Sequence, residues 1–152
     1  MISSNPHLQN VAVGEPKPAP MRSLLLVEDE STLRSALRRF FMRRGWKVTE
    51  AEDGEHAREL LRNATANGDR FDAVLTDVRM PRLSGMDLHA LVAEADTALA
   101  SRFIFSSGDT ADDETAGFIG RTGCPVITKP FQLSALLQLV ERVADAAAPP
   151  AN

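Results

Sequence analysis

Phe71–Pro81 reads FDAVLTDVRMP, an apolar run that ends in an aspartate, Asp77, with Met80 and Pro81 close behind it. A short, nearly unbroken apolar run fits a strand that is covered on both faces. The strand would hold its terminal carboxylate rigidly at the rim of a sheet. What that carboxylate does depends on which other residues reach the same rim.

The pattern repeats on either side. Leu24-Leu25-Leu26-Val27 is a second continuous apolar run, and Trp46–Ala51, Arg102–Ser106 and Val126–Thr128 complete five predicted strands. The segments between them have helical spacing. Ser31–Arg44 carries Leu33, Ala36, Leu37, Phe40 and Phe41 and is closed by Gly45; Glu55–Asn67 carries Ala57, Leu60, Leu61 and Ala64 and is closed by Gly68. Ser84–Ala95 is a third predicted helix. Asp112–Arg121 is a fourth, weakened by Gly117 and Gly120, each of which costs about 1 kcal/mol relative to alanine. Leu133, Leu136, Leu137, Val140 and Val143 mark a fifth. Five strands alternating with five helices imply an α/β fold, a parallel sheet joined by right-handed crossovers with helices on both faces.

The bulk properties agree with one such domain. A chain of 152 residues buries roughly 68–70% of the surface its unfolded form exposes. Residues 1–20, with Pro6, Pro16, Pro18 and Pro20, read as a disordered, proline-rich tail or linker, 21–147 as the folded domain, and 148–152 as a short C-terminal tail. Met21, just before the first strand, is a second candidate translation start. The N-terminus has neither a basic start nor an apolar core, and no apolar stretch is long enough to span a bilayer, so a cytoplasmic protein is expected. Cys124 is the only cysteine, which removes intrachain disulfides and multi-cysteine zinc sites. A net charge of −4 argues against direct nucleic-acid binding.

In an open α/β sheet, ligands bind beyond the carboxyl ends of the strands. Reading those ends gives Glu28-Asp29, Asp77, Ser107-Gly108 and Lys129. Three carboxylates against one ammonium leave a local charge of about −2 at neutral pH, and like-charge repulsion of that kind invites a hard divalent cation. Mg²⁺ fits, since it is commonly bound through one or two carboxylates together with phosphate oxygens. The chemistry pointed to is phosphoryl transfer, with a carboxylate as nucleophile and lysine plus metal neutralising charge.

At the motifs LLLVEDE, VLTDVRMP, FSSGD and TKPF the chain resembles the receiver domain of two-component response regulators, over about Ser23 to Ala147. The resemblance implies a flavodoxin-like fold with strand order 2-1-3-4-5. It implies that Asp77 accepts a phosphoryl group from a histidine kinase or histidine phosphotransfer protein. Asp29 would bind Mg²⁺ directly, Glu28 would assist through water, and the backbone carbonyl of Arg79 would add a ligand beside Asp77. Ser107 would hydrogen-bond the phosphoryl group and Lys129 would pair with it. The Lys129-Pro130 bond would be cis, as is common in the family. The place of the family's aromatic switch residue is taken by Val126, and the chain has no tyrosine. Arg79 and Asp109 flank the acceptor and are expected to approach one another over it, with Gly108 beside them, slowing attack by water.

Singly, each of these residues has a plainer reading: an acidic first helical turn, a strand-end acceptor, a solvated lysine, a turn serine. Their coincidence at one edge favours a phosphorylation-dependent signalling switch, stand-alone or the receiver of a hybrid kinase. Its output would run through protein contacts around the fourth helix, the fourth and fifth strands and the fifth helix, a face that could also form a homodimer. A receiver that binds partners without phosphorylation is the alternative. An aspartate-nucleophile phosphatase is disfavoured, because Arg79 stands where such enzymes usually carry a second carboxylate. His7, His56 and His89 lack metal-ligand spacing and read as surface or helix residues. Cys124 reads as a small apolar packer, and the Arg38-Arg39 and Arg43-Arg44 pairs as the solvated side and end of the first helix.

Overall fold

A computed structural model describes residues 21–108 and 113–147. The chain runs β1 (Ser23–Val27), α1 (Ser31–Met42), β2 (Lys47–Ala51), α2 (Gly54–Ala66), β3 (Ala73–Asp77), α3 (Gly85–Ala95), a single turn α4 (Thr97–Ala100), β4 (Phe103–Ser107), α5 (Asp113–Thr122), β5 (Val126–Thr128) and α6 (Leu133–Ala147). The strands form one parallel sheet in the order β2-β1-β3-β4-β5. That is the flavodoxin-like order. The order reverses between β1 and β3, so a crevice opens beyond their carboxyl ends.

Alternation along the strands divides the core into two layers, because successive side chains point to opposite faces. Leu25, Val27, Val74, Phe103 and Phe105 pack on one side with Leu61 of α2, Leu88 of α3 and Phe118 of α5. Leu24, Leu26, Leu75 and Ile104 face the other way, toward Leu37 and Phe41 of α1 and Leu136 and Val140 of α6. The central strands are apolar throughout because both faces are covered. The edge strands β2 and β5 are less buried.

Among the described residues six helices stand where five are predicted. The extra turn α4 is capped by Asp96, whose Oδ1 accepts the Leu99 amide at 3.1 Å, and it buries Leu99 and Ala100. One turn is too short to show a periodicity. Element ends also shift: α1 stops at Met42 and leaves Gly45 at φ +88 in the following turn, β3 starts at Ala73, and both Asp77 and Ser107 are the last residues of their strands. His89 is not a surface residue. It is buried edge-on to Phe103 and Phe118, with Nε2 3.6 Å from Cys124 Sγ. Burial pushes the Cys124 thiol up, against a hydrogen bond from Thr122, as suits a packing residue. Of the arginine pairs, Arg38 meets Glu50 at 3.2 Å and the Arg44 guanidinium lies 3.8 Å from the Phe40 ring centroid.

The readings of residues 1–20 and 148–152 as tails, and those of His7 and Asp109, lie outside the described residues. Among the described residues no helix is long and apolar enough to cross a membrane.

Candidate functional site

The crevice between β1 and β3 brings together Glu28, Asp29, Asp77 and Lys129. Carboxylate oxygens of Glu28, Asp29 and Asp77 lie within 4.8 Å of one another. Lys129, just past β5, reaches across the rim: its Nζ donates to Asp77 Oδ2 at 2.8 Å and to Glu28 Oε1 at 3.0 Å. The sheet sets these positions. Parallel pairing places Val27 beside Thr76, so Glu28 and Asp77 leave adjacent strands side by side. Lys129 is tied to β4 by its own amide, which donates to the Ser107 carbonyl at 2.8 Å.

Glu28 is buried, whereas Asp29 is exposed. Burial raises the Glu28 pKa, and the charge of Asp77 adds to this; the Glu30 amide, 3.0 Å from Oε2, and Lys129 oppose it. Burial lowers the Lys129 pKa, but hydrogen bonds with Asp77 and Glu28 outweigh it and leave the ammonium favoured. Three hard oxygen donors, one of them open to solvent and one buried, form a donor set that suits a small divalent cation retaining water.

Ser107 is buried at the end of β4, and Gly108 follows it, exposed, with open space where a Cβ would stand. Val126 lies half-buried on β5 opposite Phe105. The Lys129-Pro130 peptide is cis. Arg79, two residues beyond Asp77, pairs through Nη2 with Glu114 Oε1 of α5 at 3.1 Å. Its expected partner, Asp109, lies outside the described residues.

Sequence reasoning passed over the residues that hold the loop after Asp77. A Cβ on Gly85 would lie 2.0 Å from the Asp77 carbonyl oxygen, and the Gly85 amide donates to the Val78 carbonyl at 2.9 Å. Gly54 makes a similar close approach to the Leu83 carbonyl, also 2.0 Å from its would-be Cβ. Arg82 takes a left-handed φ of +69 and pairs with Asp53 at 3.1 Å. Asp53 also caps α2 by accepting the His56 amide at 2.8 Å. The signals were present as Asp53-Gly54 and Ser84-Gly85 at predicted helix starts, but they read equally as ordinary caps.

A profile of the response regulator receiver domain matches residues 24–141. The transcriptional activator protein PfeR of Pseudomonas aeruginosa is 36% identical over 118 residues, which cover 77% of this chain and 36% of that protein. The response regulator MprA of Mycolicibacterium vanbaalenii is 32% identical over 118 residues, covering 78% of this chain and 48% of that protein. The chain thus spans about a third to a half of the length of these curated relatives. The response regulator receiver protein CpdR of Brucella abortus is 29% identical and is covered over its whole length by 84% of this chain. Among solved structures, a response regulator receiver protein from Pseudomonas putida superposes with a TM-score of 0.69 at 30% identity, covering 82% of this chain and 99% of that one. The non-phosphorylated HemR receiver domain of Leptospira biflexa gives 0.72 at 27% identity, covering 86% and 99%.

Proposed function

The chain belongs to the response regulator receiver domain family, and on that premise we propose that it is a signalling switch whose phosphoacceptor is Asp77. The observation that carries this reading is the Lys129 ammonium held between Asp77 and Glu28 at 2.8 and 3.0 Å, beside a cluster of three carboxylates. A structural salt bridge needs one carboxylate. Three with one cation make a place where incoming phosphoryl oxygens and a metal can be balanced.

The donor is a phosphohistidine of a histidine kinase or phosphotransfer protein. An Asp77 carboxylate oxygen forms the new O–P bond as the P–N bond breaks, and the imidazole leaves with the bonding electron pair. Lys129 exchanges its contact with Asp77 for a phosphoryl oxygen, and Ser107 donates its hydroxyl to another. Asp29, Asp77, Glu28 and the Arg79 carbonyl are the residues that would hold Mg²⁺, which when bound neutralises charge on the transferring group. Output is by protein contacts on the face formed by α5, β4, β5 and α6, which also suits homodimerisation. The Arg79–Glu114 pair links the acceptor loop to that face.

Intact mass after incubation with an acyl phosphate and Mg²⁺ tests the reading. One Mg²⁺-dependent phosphoryl adduct is expected in the wild type and none in Asp77→Asn. If folded wild-type protein takes no adduct from either the small donor or a phosphohistidine protein, the chain is instead a binding module that works without phosphorylation.

A further inference from the structure

Arg102, just before β4, carries its charge into the core: only 7% of the residue is exposed. Its Nη1 donates to the Phe71 carbonyl at 3.1 Å, the one side-chain hydrogen bond it makes with a described residue. Its Nε is the one buried side-chain nitrogen or oxygen among the described residues that has no hydrogen-bond partner. A buried donor without an acceptor costs free energy, and more so when it is charged. Carboxylates stand near but are turned elsewhere. Asp72 and Asp96 both act on the Arg102 charge, yet neither forms an ion pair with it. Asp72 Oδ2 accepts the Ser23 amide at 2.8 Å, and Asp96 Oδ1 the Leu99 amide at 3.1 Å. Burial lowers the Arg102 pKa and the Arg70 charge adds to this, while the two aspartates oppose it.

Arg102 lines a cavity of about 270 Å³ between α2, the approach to β3, and α4. The other buried walls are Leu61, Phe71 and Leu99. Asp69, Arg70 and Asp96 line it too but are exposed. Charges in contact with water are screened by salt, whereas a guanidinium withdrawn from water is screened much less, so Arg102 sets the sign of the charge that the cavity favours. The cavity is remote from the acceptor site. Phe71 and Arg102 precede β3 and β4, whereas Asp77 and Ser107 end them, about 15 Å further on at the rise of a strand.

We propose that this cavity binds a small carboxylic acid with a compact apolar body, its two oxygens accepting from Nε–H and Nη2–H of Arg102. That edge of a guanidinium is a fork whose parallel N–H bonds match the two oxygens of a carboxylate. The fork is the edge that the Phe71 carbonyl, held by Nη1, leaves over. The apolar body rests on Leu61, Phe71 and Leu99, in the manner of small-molecule sites, where apolar walls surround a few placed polar groups. Inorganic phosphate has oxygens for the fork but nothing to cover those walls.

The proposal does not depend on phosphorylation of Asp77, and unphosphorylated full-length protein tests it. Benzoate is the probe, followed by NMR through the Nε–H signal of Arg102 and the methyl signals of Leu61 and Leu99. Saturable shifts of all three at millimolar benzoate are expected. Benzyl alcohol, which has the ring without the carboxylate, should bind about tenfold or more weakly. Arg102→Lys keeps the charge but not the fork, and should likewise bind benzoate about tenfold less well. If that variant does not fold, the comparison of benzoate with benzyl alcohol on the wild type decides alone. No saturable shift of the Arg102 signal overturns the proposal and leaves the fork closed to ligands. Equal affinity for benzyl alcohol, or undiminished binding to a folded Arg102→Lys, overturns it in favour of an apolar pocket. Phosphate binding as tightly as benzoate overturns it in favour of an adventitious ion only.

Discussion

Gly85 is the residue whose replacement would reach the backbone of Asp77 most directly. A methyl there would lie 2.0 Å from the Asp77 carbonyl oxygen and 3.1 Å from Thr76 Oγ1, and neither the buried Thr76 nor a strand backbone can withdraw cheaply. The restriction is steric: Gly85 opens a helix, and its would-be Cβ points at the strand end that carries Asp77. Overpacking of this kind costs typically about 1–3 kcal/mol. Gly85→Ala is expected to lower the urea midpoint by an amount in that range and to slow phosphorylation by an acyl phosphate. A variant that kept wild-type stability but lost phosphorylation would place the glycine in the chemistry rather than in the packing. Gly108, by contrast, has open space round it, and Gly108→Ala serves as a control that should leave stability unchanged. The difference between the two glycines was not legible in the sequence. Both sit in plausible turn or cap positions, and only the close approach of the preceding strand's end to Gly85 separates them.

At the scale of elements, the loop between β3 and α3 is held from below by α2. Asp53 has two tasks, capping α2 through the His56 amide and pairing with Arg82 in its left-handed conformation. They are separable by substitution. Asp53→Asn keeps an oxygen for the cap and loses the charge, whereas Asp53→Ala loses both. Loss of the cap is worth about 1 kcal/mol. The Arg82 pair is worth less, since its guanidinium is 71% exposed and screened by salt. Chemical denaturation should therefore rank wild type slightly above Asp53→Asn and both clearly above Asp53→Ala, with the first gap closing at high salt. Equal losses in the two variants would mean that the charge, not the cap, supports the loop. The elements themselves were largely legible, because α1, α2 and α6 each have a 3.6-residue apolar stripe and each central strand a continuous apolar run. The single turn Thr97–Ala100 was not. Its hydrogen bonds are local, but its reason for existing is the burial of Leu99 and Ala100 against distant partners.

At the scale of the whole molecule, the alternation of strands and helices implied a parallel sheet, but no local pattern orders the strands; that came from family resemblance. The site was legible for a simple reason. In a parallel sheet every strand ends at the same rim, so Glu28, Asp29, Asp77, Ser107 and Lys129 could be gathered without knowing which strand neighbours which. His89 shows the opposite case. Within MDLHALV it carries no sign of its environment, because its neighbours Phe103, Phe105, Phe118 and Cys124 come from three later segments. Burial lowers its pKa below the usual value near 6.5, and the hydrogen bond with the Ala100 carbonyl only partly offsets this. The native state therefore disfavours a proton that the unfolded chain accepts freely. The stability contributed by a neutral buried histidine is complete above about pH 6.5 and is lost as pH falls toward the lower folded value. Carboxylates add their own acid dependence, so the comparison must be internal. Urea midpoints of wild type and His89→Gln, measured at pH 7 and again at pH 5, should show the wild type losing more than the variant on acidification. The variant starts less stable, since glutamine cannot make the ring contacts, and the gap should narrow at pH 5. Parallel losses would mean that His89 takes up its proton as readily in the core as in the unfolded chain.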